Sequence, residues 1–169
     1  AELTAELDLW SDAGRRATFW WRDDDAGAPS PALDRLLDLR RAALLPLALA
    51  VIPAQATPAL KTLLSRERGI AVLQHGYAHL NHAPKGAKKC ELTDDRPLAD
   101  TLAELRQGSA RLFTWPGALP VLVPPWNRIG PAVVAQLPRL GFKGLSLHGA
   151  RQDVPPGLRV ANTHLDPIA

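Results

Sequence analysis

The chain contains a single cysteine, Cys90, so an internal disulfide framework is excluded and a reducing compartment fits. Cys90 has no histidine at the spacing of a thiol nucleophile's motif, which makes it a structural or loop thiol. Methionine is missing altogether, the initiator included, and the expectation is a chain that was processed or trimmed. Long apolar runs are missing too. The longest, residues 42–54, is too short to span a bilayer and is broken by Pro46 and Pro53. The N-terminus lacks the succession of basic region, apolar stretch and small-residue cleavage site that marks an export signal. A cytoplasmic location is expected, with an already processed exported form left open. Nor is there a block of one charge. The formal charge of +3 and pI near 9.4 lean basic, but lysine and arginine are scattered. The densest patch, residues 85–89, reads as a solvated loop, and no nucleic-acid partner is expected.

What is present is enough apolar side chain, 46% of 169 residues, to bury one core, and residues 1–169 read as a single domain. Leu3, Leu7 and Trp10 have helical spacing and predict an amphipathic N-terminal helix packed on that domain. Thr18, Phe19, Trp20 and Trp21 read as a buried strand that stops at Asp23, Asp24 and Asp25. Ser30 followed by Pro31 opens a helix with Leu33, Leu36, Leu37 and Leu44 on one face. Residues 46–52 and 69–74 are strand-length apolar runs, separated by a helix that starts at Thr57 and Pro58 and ends near Gly69. A polar loop covers residues 75–96, too long for a mere connector. Pro97 opens the clearest helix, striped by Leu98, Leu102, Leu105 and Leu112. Residues 119–123 form the next strand, and a helix enters at Gly130 and Pro131 and closes at Gly141. Two further strands are expected at 143–147 and 158–161. Apolar strands alternating with helices indicate an α/β protein with parallel strands covered by helices.

In such folds the loops leaving the C-terminal ends of strands carry the chemistry. The polar clusters obey this rule. Three consecutive acids follow the first strand, and His75-x-x-x-His79 follows the third. Pro124, Pro125, Trp126, Asn127 and Arg128 follow the fourth, and Asn162, Thr163, His164 and Asp166 follow the last. Three adjacent carboxylates repel one another and call for a cation, either a basic side chain such as Arg22 or a metal ion. His75 and His79 lie four apart, so one helical turn brings both imidazoles to one side, where they can grip one ion. Two histidines and a carboxylate, with the other positions left to water, make a catalytic rather than a structural metal site. His82, one turn on, reads as an exposed loop residue.

This order of motifs resembles the polysaccharide deacetylase family, metal-dependent carbohydrate esterases that remove N-acetyl groups from chitin-like glycans and peptidoglycan. The resemblance covers residues 17–164. It implies an irregular (β/α) barrel, here expected to lack its last strand or helix, a divalent ion with zinc foremost, and a carbohydrate substrate. In the family a general-base aspartate directly precedes a metal-binding aspartate. Carried over, Asp24 is the base, and Asp25, His75 and His79 are the ligands. Asp23 with Asp24 is the alternative register; the later pair is preferred because it directly precedes the turn at Ala26 and Gly27.

Two departures stand out. The family's arginine before its Pro-aromatic pair is replaced by Val123 and Pro124, which leaves Arg22 or Arg128 to supply positive charge to the acids. Trp126 is then expected to line the sugar or acyl pocket, with Asp23 and Asn127 nearby. The family's acid is a histidine in Leu-x-x-His. Leu145, Ser146, Leu147 and His148 match the letters but come too early, so His164 is the expected acid, with residues beyond 169 the remaining source. An O-deacetylase or small amidase on the same scaffold, and a non-catalytic carbohydrate-binding relative, are the competing readings.

Overall fold

A computed structural model describes residues 2–165, so Asp166 lies outside the described residues. The elements run α1 (Glu2–Asp12), β1 (Arg22–Ala26), α2 (Pro31–Ala43), β2 (Leu47–Val51), α3 (Pro58–Ser65), β3 (Ile70–His75) and α4 (Leu98–Leu112). They continue with β4 (Ala118–Val123), α5 (Pro131–Gln136), β5 (Gly144–Leu145) and β6 (Arg159–Val160). Short 3₁₀ turns follow β2, β4 and α5. All six strands are parallel and pair in sequence order.

A strand order that never reverses, joined by right-handed crossovers, puts every crossover helix on the same face of the sheet. The packing agrees. Leu33 and Leu37 of α2, Leu60 and Leu64 of α3, and Leu112 of α4 meet Leu47, Leu49 and Val51 of β2 and Ile70 and Val72 of β3. A second cluster joins Leu105, Val133, Leu137 and Phe142 to Leu122 and Leu145. The other face is lined by smaller residues, Ala48, Ala50, Ala71, Leu73, Val121 and Val123. Small side chains there let the sheet curl on itself. Arg22 of β1 accordingly reaches the residue after β5, donating to Ser146 Oγ at 2.7 Å. The sheet is curled, and among the described residues no pairing joins β6 to β1 to close it into a barrel.

Caps explain the helix starts. Ser30 and Thr57 accept hydrogen bonds from Leu33 N and Leu60 N, and each is followed by proline at the first helical position. Several expectations need correction. The run from Thr18 to Trp21 is not a buried strand; β1 begins at Arg22 and contains the three acids, while Phe19 and Trp20 are 62% and 43% exposed. The charged strand is tolerated because its inward side chains bond one another rather than apolar neighbours. Helix α1 forms, yet Leu3, Leu7 and Trp10 join no core cluster. Leu44 does not share the buried face of α2, because it is the left-handed C-cap and 87% exposed. Helix α3 ends at Ser65, before Gly69. Among the described residues no helix is long and apolar enough to cross a membrane.

Candidate metal centre

Strand alternation sorts the three acids. Trp21 packs toward the helix-side core and Asp23 lines a cleft with Leu33 and Leu36 of α2, so the residues between and beyond them, Arg22 and Asp24, point to the inner face. Arg22 is almost fully buried there. Its Nη2 donates to Asp24 Oδ2 and to Asn127 Oδ1, each at 2.9 Å, and its Nη1 donates to Ser146 Oγ. Its Nε lies 2.9 Å from Asp24 Oδ1, but that oxygen, buried against solvent, has no aligned donor. Of the two arginines expected to supply positive charge to the acids, Arg22 is the one that pairs with Asp24. Arg128 takes no part, since its guanidinium donates to the Lys89 carbonyl.

Asp25 breaks the alternation. It has φ of 70°, and the β1–β2 register shifts between Asp23 and Ala26. This bulge turns Asp25 to the rim on which the histidines stand, and Asp25 Oδ1 lies 3.0 Å from His75 Nε2 and 3.1 Å from His79 Nε2. Asp25, His75 and His79 are the group that could hold a metal ion among the described residues.

The chemistry of the donors fits one. His75 Nδ1 is 2.9 Å from the Val123 carbonyl, which can only accept, so Nδ1 carries the proton and neutral His75 presents a lone pair at Nε2. Lone pairs from three residues converging this closely require a cation or added protons between them. Donors bound tetrahedrally at ~2.0–2.1 Å from zinc lie about 3.3 Å apart, close to the spacings here. The hydrogen bond with His75 holds the Asp25 carboxyl below its usual range, more than offsetting burial.

The histidine pair does not sit on a helical turn. His75 ends β3, Gly76 has φ of 51°, and His79 itself is left-handed at 59°. The two rings are tilted by 38° with centroids 5.3 Å apart, and His79 packs against Trp126 at 4.4 Å with the rings tilted by 56°. Trp126 and Asn127 both adopt positive φ in the turn after β4, which aims them into the site.

These groups share a cleft of about 760 Å³. Its walls include Phe19, Trp20 and Trp21 on one side, Trp126 on another, and Thr163, His164 and Leu165 after β6. His164 is exposed at the rim. His148 and His82 do not line this cleft: His148 is bridged through its backbone to Thr163, and His82 N pairs with the Cys90 carbonyl. Cys90 is buried, and burial raises its thiol pKa.

Sequence reasoning missed Glu91, which is fully buried under the histidine turn, and Ser146, which completes the Arg22 network. It also missed the aromatic wall, having placed it in the core.

Asp23 yields a stability prediction. Its pKa is raised by burial first and then by Asp24 and Asp25. An acid with a folded pKa above the unfolded one loses stability as pH rises through the interval between them, and the penalty is complete above it. In metal-free protein, Asp23→Asn should therefore raise the thermal midpoint at pH 7, and the gain should vanish on acidification below the unfolded carboxylate pKa. Melting curves in chelator across that range check it; an equal gain at all pH values would assign the effect to packing instead.

No family model matches the chain, and no curated protein matches it. Among solved structures, the chain is similar to one described as "T48 deacetylase with substrate", at 16% identity and a TM-score of 0.50, covering 85% of this chain and 73% of that one. At that identity the likeness concerns the fold alone.

Proposed function

We propose that the chain is a metal-dependent hydrolase that removes acetyl groups from an N-acetylated carbohydrate or a related amide. The observation that carries this reading is the convergence of Asp25, His75 and His79 at the mouth of a cleft beside a second, arginine-held carboxylate. When bound, a divalent ion, zinc foremost, supplies Lewis acidity there, polarising the scissile carbonyl and making water acidic enough to be deprotonated near neutral pH.

The chain's own residues supply the rest. Asp24 is the proposed general base. Arg22 fixes its carboxylate, with Oδ1 buried against Nε, and the 28% of the side chain left exposed lines the cleft, where it can take a proton. His164, which lines the same cleft, is the proposed acid that protonates the departing amine. Trp126 braces His79 and walls the acyl end, and the exposed faces of Phe19 and Trp20 suit the apolar face of a sugar ring.

The test is acetate release from N-acetylated chitooligosaccharides by the metal-loaded chain. Turnover should disappear on chelation and return on adding back zinc. Acetate release that survives complete chelation would overturn the metal role. Stoichiometric zinc with no release from N- or O-acetylated sugars would instead favour a non-catalytic binding relative.

A further inference from the structure

We infer that Glu91 is a positioning residue of the metal centre: its buried carboxylate fixes the turn that presents His79. The inference rests on the metal-site reading above. Gly76 N still donates to the Val123 carbonyl, but residues 77–79 leave β3 with no regular secondary structure, so their backbone N–H groups have no ladder or helix to satisfy them. Glu91 satisfies three in a row. Its Oε1 accepts from Ala78 N at 2.7 Å and His79 N at 2.9 Å, and its Oε2 accepts from Tyr77 N at 3.1 Å.

The side chain is wholly buried, and no lysine, arginine or histidine pairs with it among the described residues. A buried carboxylate without a cation is tolerated where several N–H dipoles converge on it. Here the acceptor is a side chain where such a concave turn often holds a free anion. The left-handed conformation of His79, unusual for a residue with a Cβ, is what this anchoring sustains.

Glu91 is itself held from two directions. Cys90 N donates to Asn81 Oδ1, and Leu92 forms a parallel bridge with Ile129 and accepts from Gly130 N. The carboxylate therefore ties the loop after β3 to the loop after β4, which carries Trp126 against the His79 ring. Gly76 completes the arrangement: a Cβ there would run into Glu91 Oε2 and the Pro125 ring. His75 has a separate support, its Nδ1 bond to Val123, so Glu91 governs one ligand and not the other.

The experiment uses the full chain, with Glu91→Gln as the main variant and Glu91→Asp and Gly76→Ala as companions if the first folds poorly. A glutamine keeps the shape but turns an N–H₂ toward donors that need an acceptor. Two quantities are read: amide hydrogen exchange at residues 77–79 in metal-free protein, and zinc affinity by competition with a chromophoric chelator. Exchange at 77–79 should rise at least tenfold while β2 and β3 amides keep their protection, and zinc affinity should fall ~10–100-fold, the range for residues that support a ligand. Glu91→Asp should fall between the unaltered chain and Glu91→Gln in both. Unchanged exchange at 77–79 overturns the anchoring role. Loosened exchange with zinc affinity within twofold of the unaltered chain overturns the metal-positioning role. An unaltered chain that takes up no zinc sinks the metal reading itself, and with it the positioning role; the exchange arm still decides whether Glu91 orders the turn.

Discussion

Asp25→Ala and His79→Ala are each expected to leave a folded protein that no longer carries stoichiometric zinc. The structure gives the reason for both halves of that outcome. Asp25 is mostly exposed and His79 partly so, and neither belongs to a core cluster, so truncation removes little packing. Each nevertheless contributes one of three converging donors. Losing a donor must weaken the site by more than the ~10–100-fold that follows loss of a supporting residue. Turnover should fall to background with it, because Lewis acidity is lost and Asp24 cannot replace it. His75→Ala should lose metal as well, but it also opens a cavity at a buried position and is the less clean variant. Metal content by emission spectroscopy, beside circular dichroism for folding, decides the matter. Full zinc occupancy in either Asp25→Ala or His79→Ala would reject the ligand set.

Much of the scaffold was legible in the sequence because local signals and tertiary structure agree there. Ser30 and Thr57 are caps by chemistry and by position, and β2 to β4 are apolar because both faces of the sheet are buried. The reading slipped where function displaces apolarity. Strand β1 carries charge on its inner face, so the hydrophobic run just before it looked like the strand and the acids looked like its end. The true signal was Arg22 two residues before Asp24, a cation and an acid on the same face of an extended chain. The histidine pair was found by spacing, yet a helical turn was the wrong cause. Gly76, at the exit from the strand, is where the left-handed path begins. Glu91 was invisible because a buried carboxylate within a lysine-rich loop has the composition of a solvated one. Its flanking by Cys90 and Leu92, both buried, was the available hint. Curling of the sheet could not be read from strand spacing, since it depends on side-chain size on the inner face and on the Arg22 bond to Ser146.

Asp24→Asn should retain full zinc and lose ~10²–10⁴-fold in kcat, the usual contribution of a positioned general base. Asparagine is nearly isosteric, and Arg22 keeps Asn127 and Ser146 as partners, so the buried guanidinium is not abandoned. One amide oxygen can still accept from Arg22, but no group at this position can then take a proton. Arg22→Ala is expected to behave differently. It strips a part-buried acid of its counter-ion and removes the donor to Asn127 and Ser146, so stability should fall, by less than the ~3–5 kcal/mol of a fully buried pair, in addition to any loss of turnover. The contrast separates chemistry from architecture. If Asp24 were only the acidic half of a structural ion pair, Asp24→Asn would lower the denaturation midpoint and spare kcat. If it is the base, kcat collapses while the midpoint barely moves. Turnover within fivefold of the unaltered chain, at full metal occupancy, would move the base elsewhere. Asp23 is then the residue to test next: it lines the same cleft, although strand alternation turns it away from the inner face that Arg22 and Asp24 share.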